Sequence, residues 1–162
     1  MPSFSEQVKA EGLYNDGNVK ARLGMFDVAL SYYDKAISLD SSNPMYFNNR
    51  AATLKRLGRL KEAIDQYEDI SRRFPEYGKA LLSIGSTSIE IDEYQAAVSA
   101  YRKFCTAYRN GNFEFKPILG GIDQTVEGAD QLQTALLTSI NYLSLAYQKL
   151  AIQAFEEATN LA

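Results

Sequence analysis

The sequence predicts an all-α chain, a right-handed superhelical stack of helix-turn-helix repeats, and three observations carry that prediction. Similar residues recur every 34 positions, so that Ala29, Ala63 and Ala97 fall in one column and Tyr33, Tyr67 and Tyr101 in another. Gly24, Gly58 and Asp92 stand at matching points as turn residues. Pro44 and Pro75 mark the joins between copies. Three further columns keep the same register: Leu13/Phe47/Leu81, Gly17/Ala51/Gly85 and Phe26/Leu60/Tyr94. Each copy therefore reads as two helices joined by a tight turn, over about 10–43, 44–77 and 78–111.

The first helix opens with Ser3 and Glu6 at the spacing of a capping box. Within each copy two antiparallel helices approach closely only where side chains are small, which sets Gly17 against Ala29, Ala51 against Ala63 and Gly85 against Ala97. Ser42 and Asn43, just before Pro44, read as capping residues for the next helix. Cys105 falls on an apolar helix face, a packing position. After Tyr108 the register breaks at "RNGNFEFKPILGGIDQTVEGADQ", which has four glycines and a proline and reads as an inserted loop over 109–128. Inside it "FEFK" alternates as a short strand would.

From Ala129 the stripe Leu136, Ile140, Leu143, Tyr147, Leu150 is helical, and two readings of 129–162 stay open: one long helix, or a displaced and incomplete fourth repeat. Gln153 sits where that repeat's turn glycine would be. Residues 131–148 contain no charged side chain, which points to burial on more than one side and to self-association through this segment. A chain ending at Ala162 is also compatible with a fragment of a longer protein.

Composition narrows the function classes. The chain has 162 residues, one domain's worth, and a formal net charge of −3, which gives no general attraction to nucleic acid or acidic membranes. No apolar stretch is long enough to span a bilayer, the start lacks the charged and apolar regions of a secretory signal, and a single cysteine fits a cytoplasmic setting. With no histidine and one cysteine, the commonest general base and a thiolate zinc site are missing, and "LGGID" lacks the lysine and spacing of a phosphate loop. The expectation is no enzyme, no metal and no cofactor.

The columns resemble the tetratricopeptide repeat, the 34-residue helix-turn-helix family, over three full copies. Leu13, Phe47 and Leu81 stand where that family often has tryptophan, and Ser41 and Arg109 stand where Pro75 keeps its terminal proline. The resemblance implies a protein-binding module whose first helices line a concave groove. By register that groove takes Glu11, Tyr14, Asn15, Asn18 and Arg22 from the first copy. The second contributes Met45, Asn48, Asn49, Ala52, Lys55 and Arg56, and the third Lys79, Leu82, Ser83, Ser86 and Glu90. Asparagines there can hold the backbone of an extended peptide, through one donor group and one acceptor each.

The same stretch is similar to co-chaperone repeat domains that clamp the acidic C-terminal tails of heat-shock chaperones. Asn18, Asn49 and Lys79 match the clamp positions, whereas Tyr14 and Ser83 replace a lysine and an arginine. The resemblance therefore implies an adaptor or scaffold gripping a partner peptide, with a degenerate chaperone-tail clamp as the alternative. A third reading is an assembly subunit joined through the last helix. Lys55 and Arg56 read as a solvated helix end that complements its dipole, and Arg50 as a side chain lying along its helix to meet a carboxylate. The placement of the 109–128 insertion resembles, in layout only, the Rac-binding repeat domain of the NADPH oxidase activator subunit, which implies a GTPase contact there.

Overall fold

The computed structural model describes residues 2–111 and 124–160. Among them are seven α-helices and no strand: α1 (Phe4–Arg22), α2 (Phe26–Leu39), α3 (Pro44–Arg56), α4 (Leu60–Arg73), α5 (Lys79–Glu90), α6 (Tyr94–Arg109) and α7 (Gln124–Asn160). The chain divides into two compact units, Met1–Phe74 and Pro75–Ala162.

Three helix hairpins, α1 with α2, α3 with α4 and α5 with α6, follow from the 34-residue period. Their turns close in the same way. Gly24, Gly58 and Asp92 adopt left-handed backbone, with φ of 76°, 77° and 60°. The amide of the residue after each, Met25, Arg59 and Glu93, donates back to the carbonyl of Lys20, Leu54 and Ser88 respectively. The amides of Gly24, Gly58 and Asp92 donate to Ala21, Lys55 and Ile89. These paired bonds satisfy the carbonyls that a helix end leaves without partners. Asp92 occupies a conformation that normally favours glycine, and its carboxylate accepts a hydrogen bond from the Tyr94 hydroxyl.

In the first unit α1 packs on α2 and on α3, and α2 packs on α3. Ala10, Ala36 and Tyr46 are buried there, with Leu13, Tyr14, Ile37 and Leu39 around them. At α1 the Glu6 carboxylate accepts from the Ser3 amide at 2.7 Å, and the Ser3 hydroxyl accepts from the Glu6 amide at 3.3 Å. That bond to the Ser3 backbone holds the Glu6 carboxyl below its ordinary pKa. Pro44 opens α3, and the Asn43 side chain accepts from the Met45 amide at 3.0 Å. Ser42 does not cap. Its hydroxyl and amide both donate to buried Asp40, at 2.6 and 2.9 Å, because a carboxylate taken from water needs donors more than the helix end needs a second cap.

In the second unit Ala97, Val98, Tyr101 and Ala146 form the buried cluster, with Leu82, Ile89, Leu143 and Leu150 packed on it. Tyr142 of α7 stacks on Tyr101, with ring centroids 5.8 Å apart and planes 4° apart. Cys105 is half-buried, its sulfur 3.5 Å from the Ser139 hydroxyl.

At two of the small-residue positions the nearest neighbour across the hairpin is a tyrosine ring. A Cβ at Gly17 would lie 2.7 Å from the Tyr33 ring, and one at Gly85 would lie 2.5 Å from the Tyr101 ring. The tyrosine of the second helix, rather than the alanine, fills the space that these glycines leave, because a flat ring reaches across the hairpin where a methyl cannot. Ala29, Ala63 and Ala97 are fully buried beside these contacts.

The loop read over 109–128 is shorter than the sequence suggests at its far end. Helix α7 already includes Gln124 to Gly128, since one glycine within a helix costs about 1 kcal/mol without ending it. "FEFK" and the centre of the insertion, 112–123, lie outside the described residues. Helix α7 runs unbroken through Gln153 to Asn160, so no turn divides a fourth hairpin.

Candidate functional site

The side chains that meet in the first unit come from three helices. Tyr14 and Asn18 stand one turn apart on α1, a spacing that puts them on one face. Asn49 reaches them from α3. Its amide nitrogen donates to the Asn18 carbonyl oxygen at 2.8 Å and to the Tyr14 hydroxyl at 2.9 Å. From α2, the Tyr33 hydroxyl donates to the same Asn18 oxygen at 2.8 Å. The Asn48 amide donates to the Asn49 carbonyl oxygen at 3.2 Å.

Counting donors and acceptors shows what this cluster offers a ligand. Both amide hydrogens of Asn49 are engaged, and the Asn18 oxygen accepts twice. The Asn18 amide nitrogen and the Tyr14 hydroxyl proton have no acceptor among the described residues. Both side chains are half-buried. The cluster therefore presents neutral N–H and O–H donors on a pre-arranged base, suited to a carbonyl or carboxylate oxygen. The Tyr14 ring is fixed behind its hydroxyl by Tyr46, with centroids 5.0 Å apart, and by Tyr33 at 6.1 Å. Burial raises the pKa of Tyr33, so its hydroxyl stays protonated and a donor at neutral pH.

In this structure Asn49 directs both hydrogens of its amide to Tyr14 and Asn18. Asn48, assigned to the groove from register, is buried, and its carbonyl oxygen has no hydrogen-bond partner among the described residues. Tyr33 was legible only as a packing column. A buried tyrosine needs a partner for its hydroxyl, and that requirement is the signal that could have placed it in the site.

The remaining candidates divide between the units. Asn15 and Arg22 are exposed on α1, and Lys55 is half-buried on α3. Lys79, Ser83 and Ser86 lie on α5 in the second unit: Lys79 is exposed, and Ser86 donates to its own helix at the Ser83 carbonyl, 3.2 Å away. The structure brings together Tyr14, Asn18 and Asn49; Lys79 and Ser83 belong to the other unit.

Arg50 pairs with the Asp34 carboxylate at 2.7 Å and donates to Gln66 at 3.1 Å. Arg56 is exposed in the last turn of α3, as a solvated helix end is, and it makes two further contacts. Its guanidinium lies 4.6 Å from the Phe26 ring centroid and donates to the Ala21 carbonyl at 3.3 Å, so it serves the last turn of α1. Among the described residues no group of three or more His, Cys, Asp or Glu side chains gathers as a metal site. No described helix is long and apolar enough to cross a membrane.

Comparison with known proteins gives this geometry a context. Tetratricopeptide repeat family models match residues 10–43 and 32–65. The second match starts in α2 and ends in α4, which a periodic sequence permits. The chain is 36% identical over 138 residues to the small glutamine-rich tetratricopeptide repeat-containing protein of Dictyostelium discoideum, covering 84% of this chain and 41% of that protein. The chain spans less than half the length of such curated relatives. The Sgt2 TPR domain from Aspergillus fumigatus superposes with a TM-score of 0.62 at 24% identity, over 91% of this chain and 84% of that one. The first TPR of Spaghetti (RPAP3), solved with the HSP90 peptide SRMEEVD, superposes with a TM-score of 0.58 at 22% identity, over 82% and 94%. With three hairpins closed by the same left-handed turn and two matching family models, this chain is a tetratricopeptide repeat protein.

Proposed function

We propose that this chain is a non-catalytic adaptor that binds an extended peptide segment of a partner protein at Tyr14 and Asn18, held in place by Asn49. The observation that carries this reading is the pair of unengaged, half-buried donors on a hydrogen-bonded base. Such donors recognise main-chain carbonyls, which every peptide has, so they fix an extended backbone irrespective of its side chains. The similarity to small glutamine-rich repeat proteins and to an HSC co-chaperone of Aspergillus fumigatus supports a role in protein binding.

A second reading is a binder of acidic chaperone tails, favoured by the placement of Asn18 and Asn49 and by a repeat domain of this fold solved with SRMEEVD. Tyr14 supplies a neutral hydroxyl where a lysine would supply a charge, and charge-assisted bonds are about twice as strong as neutral ones. The two readings separate on the terminal carboxylate. Labelled SRMEEVD is titrated in parallel as the free acid and as the C-terminal amide, followed by anisotropy. The adaptor reading expects both forms to bind within about threefold of each other and Asn18→Ala to weaken both by roughly fivefold, the loss of one hydrogen bond. A strong preference for the acid transfers the conclusion to the tail binder. Binding unaffected by both Asn18→Ala and Tyr14→Phe overturns the site. Exposed Lys79 is tested separately, as Lys79→Ala.

A further inference from the structure

The neutral donors of Tyr14 and Asn18 lie between opposite charges. On α1, Glu11, Asn15, Asn18 and Arg22 follow one another at steps of four, three and four residues, so they form one row on the face that carries the site, with Tyr14 at its edge. Glu11 stands about one turn before Tyr14, and Arg22 about one turn after Asn18. Both charged side chains are exposed.

Each end of the row is reinforced from a second element. Arg56 lies two turns beyond Asn49 on α3, and its guanidinium donates to the Ala21 carbonyl at 3.3 Å, which brings it to the residue before Arg22. Neither arginine has a carboxylate partner among the described residues. At the other end burial raises the pKa of Tyr46, the ring packed on Tyr14, and the nearby carboxylates of Asp40 and Glu11 raise it further. Burial also raises the pKa of Tyr33, but there the charge of Arg22 acts in the opposite sense. The site therefore runs from a carboxylate, across neutral donors, to a pair of guanidinium groups.

Distances along the row set the spacing that a ligand must match. Glu11 and Arg22 are separated by about 16 Å of helix at a rise of roughly 1.5 Å per residue. An extended peptide covers that length in about five residues, at roughly 3.3 Å each. Tyr14 and Asn18 stand about 6 Å apart on the same rise, close to the roughly 6.6 Å between carbonyls two residues apart in an extended chain. We propose that this site selects a dipolar segment of the partner, with an acidic side chain over Arg22 and Arg56 and a basic side chain over Glu11, about five residues apart. The inference rests on the peptide site proposed for Tyr14 and Asn18, which hold the main chain between the two charges. A segment that is acidic at both ends meets Glu11 with like charge.

Four labelled hexapeptides with blocked termini, RSVAVE, ESVAVE, QSVAVQ and SVREAV, test the charge pattern by anisotropy on the full chain. RSVAVE is expected to bind about three- to tenfold more tightly than each of the others, and about 0.5 M salt should erase the difference. Arg22→Glu or Glu11→Lys alone should remove that advantage. The two together should restore part of it, since the reversed row accepts the same peptide in the opposite direction. Both positions are exposed, so the helical circular dichroism should not change. Asn18→Ala should weaken all four probes alike. Equal binding of the four probes, or tighter binding of ESVAVE, overturns the dipolar selection, and sensitivity to Asn18→Ala in that case leaves the peptide site standing. Binding that responds to neither Asn18→Ala nor Tyr14→Phe, or no binding of any probe, overturns the site and this inference with it.

Discussion

The amide of Asn49 lies 2.8 Å from the carbonyl oxygen of Asn18, across 31 positions of sequence and between two hairpins. That bond fixes which end of Asn18 faces outward. With its oxygen held by Asn49 and Tyr33, the Asn18 amide is left as the donor toward solvent.

Asn18 and Asn49 should therefore separate by experiment. Asn18→Ala removes a ligand contact and one acceptor of the network. Asn49→Ala removes the base that orients both Tyr14 and Asn18 and costs about 1–2 kcal/mol of stability through lost hydrogen bonds. Urea denaturation should show the larger loss for Asn49→Ala. Peptide titration should show weakening for both. Equal stability of the Asn49→Ala and native chains would contradict the positioning role.

Glycine replacements test the hairpin packing with opposite signs. Gly85→Ala drives a methyl to 2.5 Å from the buried Tyr101 ring, which also stacks on Tyr142. A loss of about 1–3 kcal/mol is expected, as for other overpacked sites. Gly12→Ala meets nothing within 4 Å on exposed α1 and should gain about 0.5–1 kcal/mol from helix propensity. Thermal melts of the two variants should move in opposite directions.

Alkaline pH should unfold the chain through its buried phenols. Burial raises the pKa of Tyr33, Tyr46 and Tyr101 above their ordinary value of 10.0. Because the unfolded state then releases these protons first, the associated stability is fully present below pH 10 and falls as pH rises past it toward the folded values. Phenolate absorbance near 295 nm should show a second group of tyrosines titrating together with the loss of helical signal. Titration of every tyrosine in one step near its ordinary value, with the helix intact, would refute this.

Arg56→Ala should destabilise the first unit by about 1 kcal/mol, chiefly through the lost contact with Phe26. Arg56→Lys should recover little, since an ammonium lacks the flat face that lies over that ring. Chemical denaturation of the two variants tests the difference.

The period of 34 determined from sequence alone that the first six helices are helical hairpins, because packing two helices at a fixed distance demands small, large and turn residues at fixed places. Ala29, Ala63, Ala97 and the turns at Gly24, Gly58 and Asp92 were legible for that reason. So were Tyr14, Asn18 and Asn49 as neighbours, since register alone puts them on first helices. Tertiary structure decided which polar groups are already engaged. Asn48 and Asn49 are adjacent and identical in sequence, yet one is buried and the other ties two helices together, because a helix turns 100° between them. It also decided that Gly17 and Gly85 make room for tyrosine rings and that, among the described residues, large apolar side chains of α7 such as Leu137 and Phe155 stay exposed. Sequence fixes what each side chain can do, but hydrogen-bond partners and covered faces depend on distances between residues far apart in the chain.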